Sequence, residues 1–209
     1  MSDIANKVET LMEAMPYLQK YQGKIIVIKY GGNAMINEEL KDAVMHDVVL
    51  LKLLGMKPVL SHGGGPGINK ILEKLDIPVE FIEGLRYTSA DIMRVVEMVL
   101  VGQVNTELVG FINKLGGKAV GLSGVSGDIY HCHQRAPVGT DGQGHTFNIN
   151  GDTAAGKLAS ALGAEKLVIL TDIEGLCNDI KIRDVISYLN IEDVKALKDK
   201  GTIAGGMIP

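Results

Sequence analysis

The sequence predicts an α/β protein, a three-layer αβα sandwich built around a mainly parallel sheet. Short β-branched apolar runs alternate with amphipathic segments of helical period, the pattern of strands joined by crossover helices. Glycine-rich turns close two of these runs and open helices. Of the 209 residues, 46% are hydrophobic, which is enough for one substantial core. In folds of this class, ligands bind beyond the carboxyl ends of the strands, and we expect the site there.

The elements follow from the local pattern in chain order. Ile4, Val8, Leu11 and Met15 recur near helical spacing and predict an amphipathic helix over residues 4–18. Further along, β-branched runs predict strands and periodic apolar segments predict helices. In order, these are strand 25–29, helix 38–54, strand 58–61, helix 66–75, helical segment 89–115 with a break near Gly102, strand 118–122, helix 152–162, strand 166–171 and helix 191–199.

Charge and cysteine content narrow the class of protein. The formal net charge of −4 and the lack of a basic block argue against binding to nucleic acid or to an anionic membrane. The two cysteines, Cys132 and Cys177, are too few for a disulfide framework and suit the reducing cytoplasm. No apolar run reaches transmembrane length, so we expect no membrane span. The first residues include several acidic side chains, which predicts no signal peptide.

Two glycine-rich turns predict binding of a phosphate chain. The first follows Lys29 at residues 31–32, and the second covers residues 63–65. A strand that ends in glycines and starts a helix leaves backbone N–H groups pointing at one spot, where the helix dipole adds positive potential. The lysine before the first turn adds a mobile positive charge that suits phosphoryl oxygens.

The common phosphate and hydrolase motifs do not account for these turns. Residues 151–158 approach the Walker A pattern, but Leu158 stands where a magnesium-binding Ser or Thr is required. Neither turn has the three-glycine spacing of dinucleotide sites. Residues 62–65 are like an esterase oxyanion loop, but residues 121–125 lack the final glycine of a nucleophile elbow. The remaining interpretation is phosphate binding without a Walker lysine.

A series of motifs follows in a fixed order along the chain. They are Lys-Tyr-Gly-Gly-Asn-Ala-Met at 29–35, Ser-His-Gly-Gly-Gly-Pro at 61–66, Gly-Leu-Arg-Tyr-Thr at 84–88, Val-Glu-Met-Val-Leu-Val-Gly-Gln-Val-Asn at 96–105, Asn-Ile-Asn-Gly-Asp at 148–152, Leu-Thr-Asp-Ile-Glu-Gly-Leu at 170–176 and Gly-Gly-Met-Ile-Pro at 205–209. From about residue 5 to the last residue, the chain resembles the N-acetylglutamate kinases of the amino-acid kinase fold. The resemblance implies phosphoryl transfer from ATP, with Mg²⁺, to the γ-carboxylate of N-acetyl-L-glutamate, the second step of arginine synthesis.

The resemblance also implies the catalytic residues. Lys29 would stabilise the transferring phosphoryl group, and Asp152 would hold the catalytic lysines in place. Asp152 begins a predicted helix, so helix N-capping is an alternative role for it. A γ-carboxylate is already ionised at neutral pH, so the reaction needs no general base. His62 is therefore interpreted as a turn-packing residue.

Substrate and nucleotide contacts are implied in the same way. The residues implied to bind N-acetyl-L-glutamate are Gly64, Gly65, Arg86 and Asn148. Arg86 would bind the α-carboxylate with its planar guanidinium, with a surface ion pair as the alternative, while Asn148 alternatively forms a turn. The residues implied to lie near ATP are Gly31, Gly32, Asp172, Gly175, Leu176, Gly206 and Met207. For residues 172–176, a plain turn after the strand is the alternative.

The resemblance divides the chain into a helix and a kinase domain. Residues 1–22 are predicted to be an N-terminal oligomerisation helix, because such a helix marks the arginine-sensitive, ring-forming members of the family. Residues 23–209 are predicted to be the amino-acid kinase domain, in which the N-lobe to about residue 150 binds the acyl substrate and the rest begins the ATP lobe. We therefore expect a cytoplasmic homo-hexamer with arginine as feedback inhibitor.

Two departures from the family pattern predict a longer natural polypeptide. Between Gly127 and Ala136 the family has a few dozen more residues, including most of a core strand. After Pro209 it has a strand–helix region with a second catalytic lysine. A parallel sheet does not readily lose a central strand and stay packed. Gly151 replaces the usual alanine, a change that should be tolerated.

Alternatives to this interpretation stay open. His131 and His133 alternate with Cys132 as on a strand and could bind zinc with a third ligand, but no fourth ligand has suitable spacing, so we predict no metal site. The protein could be a sister enzyme of the same fold that acts on another carboxylate, a carbamate or a nucleoside monophosphate, although Arg86 and its neighbours argue against that. It could also be a non-catalytic sensor that keeps the fold.

Overall fold

The computed structural model describes residues 3–82, 85–130, 147–171, 175–179 and 184–203. The α-helices in these ranges are α1 (Asp3–Tyr21), α2 (Glu38–Leu53), α3 (Gly65–Lys74), α4 (Ala90–Glu97), α5 (Thr106–Lys114), α6 (Gly151–Ala161) and α7 (Val194–Asp199). The strands are β1 (Ile25–Tyr30), β2 (Lys57–His62), β3 (Phe81–Ile82), β4 (Leu85–Arg86), β5 (Lys166–Ile169), β6 (Cys177–Asp179) and β7 (Asp184–Val185). A π-helical segment, Met98–Asn105, joins α4 to α5.

The central strand β1 lies in a parallel sheet with the strand order β2-β1-β5. Lys29 of β1 is level with Ser61 of β2 and with Ile169 of β5. Because the strands run in the same direction, their carboxyl ends lie at one edge of the sheet, and the two glycine turns follow β1 and β2 at that edge. The parallel sheet with helices around it confirms the predicted α/β sandwich.

Helices cover both faces of this sheet. On one face the fully buried Tyr30 packs with Met45 of α2 and Leu108 of α5. Strand alternation turns the neighbouring Lys29 to the opposite face. There α6 contacts β1 and buries Ala155 completely. The start of α6 is therefore brought to the carboxyl edge of the sheet, next to Lys29.

The packing contacts described for helix α1 lie near its C-terminal end. Leu18 and Tyr21 pack against the cluster that includes the β1 residue Ile26. The ammonium of Lys166 lies 4.9 Å from the centroid of the Tyr21 ring, a cation–π contact. The helix predicted over residues 4–18 is confirmed and is slightly longer. Its exposed apolar side chains are Val8, Leu11, Met12, Met15 and Tyr17.

Residues 118–122 do not form the predicted strand. The Ala119 N–H donates to Oδ1 of Asn113 at 2.9 Å, and Val120 and Leu122 are exposed. A strand is stable only when a neighbouring strand shares its ladder of hydrogen bonds. Within the described part of the chain, no strand pairs with this segment.

The helical segment over 89–115 is irregular but not broken. The π-helical turns pass through Gly102 and continue into α5, so the predicted break is wrong. Helix 90–114 is long enough to cross a membrane and contains an 18-residue stretch with a mean hydropathy of 1.5. An apolar segment of this length was not expected, and a single such helix is weak evidence for a membrane span. Val96 and Val99 of this helix are buried against Leu72 of α3.

Candidate active site

The carboxyl end of β1 brings Lys29 next to Asp152. Nζ of Lys29 lies 3.0 Å from Oδ1 of Asp152, and the two side chains are 18% and 33% exposed. Oδ1 is buried and is not aligned for a hydrogen bond, so the contact is an electrostatic one. Pairing with β2 and β5 fixes the backbone of Lys29 on both sides. An ammonium held in this way can meet negative charge on a phosphoryl group.

Helix α6 is capped by Asn150 and not by Asp152. Oδ1 of Asn150 accepts hydrogen bonds from the backbone N–H of Asp152 at 2.9 Å and of Thr153 at 3.1 Å. These are amides that the helix itself cannot satisfy. N-capping as the role of Asp152 is therefore wrong. Its carboxylate instead faces Lys29, in the first helical turn, where the helix dipole stabilises negative charge.

The first glycine turn leaves room beside the lysine. A Cβ atom on Gly31 would lie 3.4 Å from Cε and 3.5 Å from Nζ of Lys29. Gly32 has φ +66°, a conformation that favours glycine. The Gly63 N–H donates to the carbonyl oxygen of Tyr30 at 2.8 Å and joins the two turns. Both turns therefore lie at one edge, as predicted.

The second glycine turn opens helix α3. Gly64 precedes the helix and Gly65 is its first residue. A Cβ atom on Gly64 would collide with Cδ2 of Leu100, so a larger residue fits here only if that side chain shifts. Among the described residues, no atom lies within 4 Å of a Cβ atom built on Gly65. Among the described residues, the space beside Gly65 at the start of α3 is therefore open, and the positive dipole end of this helix suits an anionic group.

The guanidinium of Arg86 is held on two sides by Asn69 and Phe81. Nη2 donates to Oδ1 of Asn69 at 2.5 Å, and Cζ lies 4.9 Å from the centroid of the Phe81 ring. Nη1 is buried and has no hydrogen-bond partner among the described residues. Burial lowers the pKa of Arg86, although a guanidinium stays charged at neutral pH. A buried charged donor is stabilised by a hydrogen-bond acceptor, and an anionic ligand is one group that can supply it.

Asn148 reaches the same loop through Thr88. Nδ2 of Asn148 donates to Oγ1 of Thr88 at 3.2 Å, and that hydroxyl donates to the carbonyl oxygen of Arg86 at 3.1 Å. Asn148 also lies two residues before Asn150, which caps α6. The structure thus links Arg86 and Asn148 with each other and, through the chain, with Asp152.

Part of the predicted nucleotide site is not placed by the structure. Asp172, Gly206 and Met207 lie outside the described residues, as do His131, Cys132 and His133. Leu176 accepts a hydrogen bond from the Ile186 N–H at 2.7 Å, next to the β6–β7 hairpin. No contact described for Gly175 or Leu176 joins them to Lys29. The described ranges contain no group of three or more His, Cys, Asp or Glu residues that could hold a metal ion.

The sequence motifs did not identify every residue that contacts the site. Thr88 and Asn150 lie inside quoted motifs, and their position beside motif residues was an available signal. No pattern in the sequence pointed to Asn69 or Phe81. Their contacts with Arg86 depend on one exposed turn of α3 and on a two-residue hairpin, which periodicity does not reveal.

Comparison with known proteins places these residues in a family. The chain matches the model of the amino acid kinase family over residues 24–140 and 134–209. It is 45% identical to the acetylglutamate kinase of Heliobacterium modesticaldum, over 97% of this chain and 83% of that protein. It is 42% identical to the acetylglutamate kinase of Citrifermentans bemidjiense, over 100% of this chain and 85% of that protein.

Solved structures agree on the fold. Protein smu.665 of Streptococcus mutans UA159 has a TM-score of 0.67 and 29% identity, over 88% of this chain and 86% of that one. The N-acetylglutamate synthase of Neisseria gonorrhoeae, complexed with coenzyme A and N-acetyl-glutamate, has a TM-score of 0.73 over 100% of this chain and 54% of that one. Its identity of 21% supports the fold alone.

The alignment also bears on the predicted internal gap. The match with the C. bemidjiense protein runs over 251 positions, 42 more than the 209 residues of this chain. Within the aligned span, at least 42 positions of the relative therefore have no counterpart in this chain. The two stretches matched by the family model overlap at residues 134–140. From the family match and from identity along nearly its whole length, the chain belongs to the amino acid kinase family, among the acetylglutamate kinases.

Proposed function

We infer that this protein transfers the γ-phosphoryl group of ATP to the γ-carboxylate of N-acetyl-L-glutamate. The product is N-acetyl-L-glutamyl 5-phosphate, in the second step of arginine biosynthesis. Relatives that are 40–45% identical carry the name of this activity. The structural observation that carries the substrate assignment is the buried Nη1 of Arg86, which has no hydrogen-bond partner in the part of the chain that the structure describes. Because hydrogen bonds between a charged donor and a carboxylate are stronger than those to neutral acceptors, this nitrogen fits the non-reacting carboxylate of the acyl substrate.

Lys29 is proposed as the catalytic residue that meets the transferring phosphoryl group. The acceptor is already a carboxylate, so the protein has to align two anions and offset the charge between them. Lys29 supplies that charge from the central strand, and Asp152, 3.0 Å away, keeps the ammonium in place. Because these contacts act on charge that moves in the transition state, they raise turnover more than substrate binding.

The acyl substrate is proposed to lie between the second glycine turn and the Arg86 loop. Arg86 binds its α-carboxylate, and Asn148, held by Thr88, hydrogen-bonds its main part. Gly64 and Gly65 contribute backbone N–H groups at the start of α3. The reacting γ-carboxylate then points along the sheet edge toward Lys29.

The nucleotide is proposed to lie on the other side of Lys29. Gly31 and Gly32 offer backbone donors to its phosphates, and the further residues proposed near ATP are Asp172, Gly175, Leu176, Gly206 and Met207. Bound Mg²⁺ would neutralise phosphate charge. In the described part of the chain no carboxylate cluster fits a metal ion, and Asp152 is engaged with Lys29. We therefore assign no protein ligand to Mg²⁺, which would enter with ATP.

Assembly and regulation are proposed from α1. Residues 1–22 are proposed to be an oligomerisation segment and residues 23–209 the kinase domain. The apolar side chains of α1 are exposed in a single chain, Leu11 by 63% and Met12 by 64%. A neighbouring subunit of a homo-hexamer would cover them. Arginine is the proposed feedback inhibitor, and the cytoplasm the proposed location.

A substrate panel tests this function. The protein produced from its natural gene is incubated with ATP, Mg²⁺ and hydroxylamine, which traps acyl phosphates as hydroxamates. N-acetyl-L-glutamate should give far more hydroxamate than glutamate or aspartate, and ADP formation with carbamate should stay at the background rate. Equal rates with glutamate would contradict the assignment, and no acyl phosphate from any substrate would favour a non-catalytic sensor.

A further inference from the structure

The orientation of Arg86 is set by two residues outside the predicted site. Phe81 on β3 and Arg86 on β4 are directly paired across the antiparallel hairpin. Paired residues in such a ladder point their side chains to the same face. The ring of Phe81 therefore lies against the guanidinium, with its centroid 4.9 Å from Cζ.

Asn69 fixes the rotation that the ring leaves open. Stacking restrains the plane of a guanidinium but not its direction within that plane. Oδ1 of Asn69, on α3, accepts a hydrogen bond from Nη2 of Arg86. One edge of the fork is thereby occupied, and Nη1 is turned to a buried position with no partner among the described residues.

The chemistry of the two partners leaves the charge of Arg86 available. An amide and an aromatic ring orient a guanidinium without neutralising it, whereas a carboxylate at position 69 would form an ion pair and compete with an anionic ligand. Asn69 is exposed and Phe81 is 55% exposed. Neither residue is part of the buried core, so their contacts with Arg86 are not explained by core packing.

We propose that Asn69 and Phe81 are positioning residues that preset the guanidinium of Arg86 for a carboxylate of the acyl substrate. This inference rests on the proposed function, in which Arg86 binds the α-carboxylate of N-acetyl-L-glutamate. A long side chain that is ordered before binding loses less entropy when the ligand arrives. The positioning therefore strengthens substrate binding and not the phosphoryl transfer itself.

The test compares two substrates in Asn69→Ala and Phe81→Leu variants of the protein made from its natural gene. One substrate is N-acetyl-L-glutamate, and the other is 4-acetamidobutyrate, which keeps the reacting carboxylate but lacks the α-carboxylate. We expect KM for N-acetyl-L-glutamate to rise about 2- to 12-fold, the effect of ordering one flexible side chain. We expect kcat, and the kcat/KM for 4-acetamidobutyrate, to stay within about twofold. Lys70→Ala, the exposed neighbour on α3, is the matched control and should change neither value.

Asn69→Asp separates positioning from a merely structural hydrogen bond. Aspartate keeps the acceptor for Nη2, so a structural role predicts rescue. Positioning for an anion predicts a larger rise in KM than in Asn69→Ala, because the new charge pairs with Arg86 and repels the substrate. In an Arg86→Ala background, Asn69→Ala should have no further effect on KM. Thermal melts of all variants show whether the fold is retained.

Different outcomes would overturn the substrate-binding role of Arg86 and the positioning role of Asn69 and Phe81. If Arg86→Ala keeps the preference of the wild type for N-acetyl-L-glutamate over 4-acetamidobutyrate, the proposed function of Arg86 is wrong. If Arg86→Ala abolishes that preference but Asn69→Ala and Phe81→Leu keep the wild-type KM, the positioning role alone is overturned. An equal loss of kcat/KM for both substrates in Asn69→Ala, or rescue by Asn69→Asp, would also overturn it.

Discussion

The ammonium of Lys29 and the carboxylate of Asp152 lie 3.0 Å apart, one on the central strand and the other in the first turn of α6. The pair is brought together by the packing of α6 on β1 and by the Asn150 cap. An ion pair with one member mostly buried is less screened by solvent than a surface pair, and removal of either partner leaves a charge uncompensated. The first prediction depends on this pair.

Removal of either member of the pair should abolish most turnover. We expect Lys29→Ala to lower kcat about 10²- to 10³-fold, the range seen when one donor to a developing charge is removed. Asp152→Ala should act in the same direction, and both should change KM for N-acetyl-L-glutamate much less. Steady-state kinetics with both substrates measures this. Lys24→Ala, which removes an exposed pair with Glu165, is the matched control and should keep wild-type turnover. Near-normal kcat in Lys29→Ala would show that its proposed role is wrong.

Arg86 should act on binding and not on turnover. In Arg86→Ala, we expect KM for N-acetyl-L-glutamate to rise roughly 10- to 150-fold, the value of a hydrogen bond to a charged group, with kcat little changed. Arg86→Lys should recover only part of the loss, because an ammonium lacks the planar fork and would not stack on Phe81 in the same way. Kinetics at saturating ATP separates KM from kcat. A variant that lost kcat and kept KM would place Arg86 at the reacting group instead.

The sequence predicted the central strands and their glycine turns, but not the short hairpins around them. The β-branched run before Gly31 and the glycines after Ser61 predicted β1, β2 and their turns, because buried parallel strands have a strong local signature. The hairpins β3–β4 and β6–β7 were missed, since elements of two or three residues carry almost no periodicity. The strand predicted at 118–122 failed because strand formation depends on a neighbour that local pattern does not show.

The candidate site was predictable where a motif carried it. Lys29 and Asp152 were named from motifs, and the structure brings them into contact. Helix capping, the alternative role considered for Asp152, belongs to Asn150 of the same motif, because both are good capping residues and only backbone geometry distinguishes them. The contacts of Arg86 with Asn69 and Phe81 join three elements in space and have no sequence signature.

Helix α1 should control assembly. Deletion of residues 1–20 should give a smaller particle by light scattering and raise the arginine concentration needed for half-inhibition. Leu11→Glu is a gentler variant, since this side chain is 63% exposed in one chain and its replacement leaves the kinase domain intact. Glu9→Gln, also exposed, is the control and should keep the wild-type mass. An unchanged particle mass after the deletion would rule out α1 as the assembly element.

The outer strand β5 should gain stability from the internal segment present in relatives. Leu167 and Val168 are each 37% exposed and Ile169 is 50% exposed, so apolar surface on this strand is not fully covered. We expect the 209-residue chain to melt at low temperature and to form acyl phosphate poorly. Insertion of the H. modesticaldum segment between Gly127 and Ala136 should raise the free energy of unfolding by about 1.5–3 kcal/mol for each large side chain that becomes buried.

A flexible linker controls for chain length in that experiment. A Gly/Ser insert as long as the H. modesticaldum segment should give no such gain, because it brings no apolar surface to β5. A cooperative melt and normal turnover in the chain without any insert would show that the segment is dispensable.

The most direct test of the central claim follows an oxygen atom. N-acetyl-L-glutamate labelled with ¹⁸O in its γ-carboxylate is incubated with ATP, Mg²⁺ and hydroxylamine, and the released inorganic phosphate is analysed by mass spectrometry. Hydroxylamine attacks the acyl carbon and expels phosphate together with the former carboxylate oxygen. We predict one ¹⁸O atom in each phosphate released by the wild type. In Lys29→Ala, we predict that the amount of labelled phosphate falls in proportion to turnover. Unlabelled phosphate would mean that water, and not the γ-carboxylate, accepts the phosphoryl group, and would contradict the account.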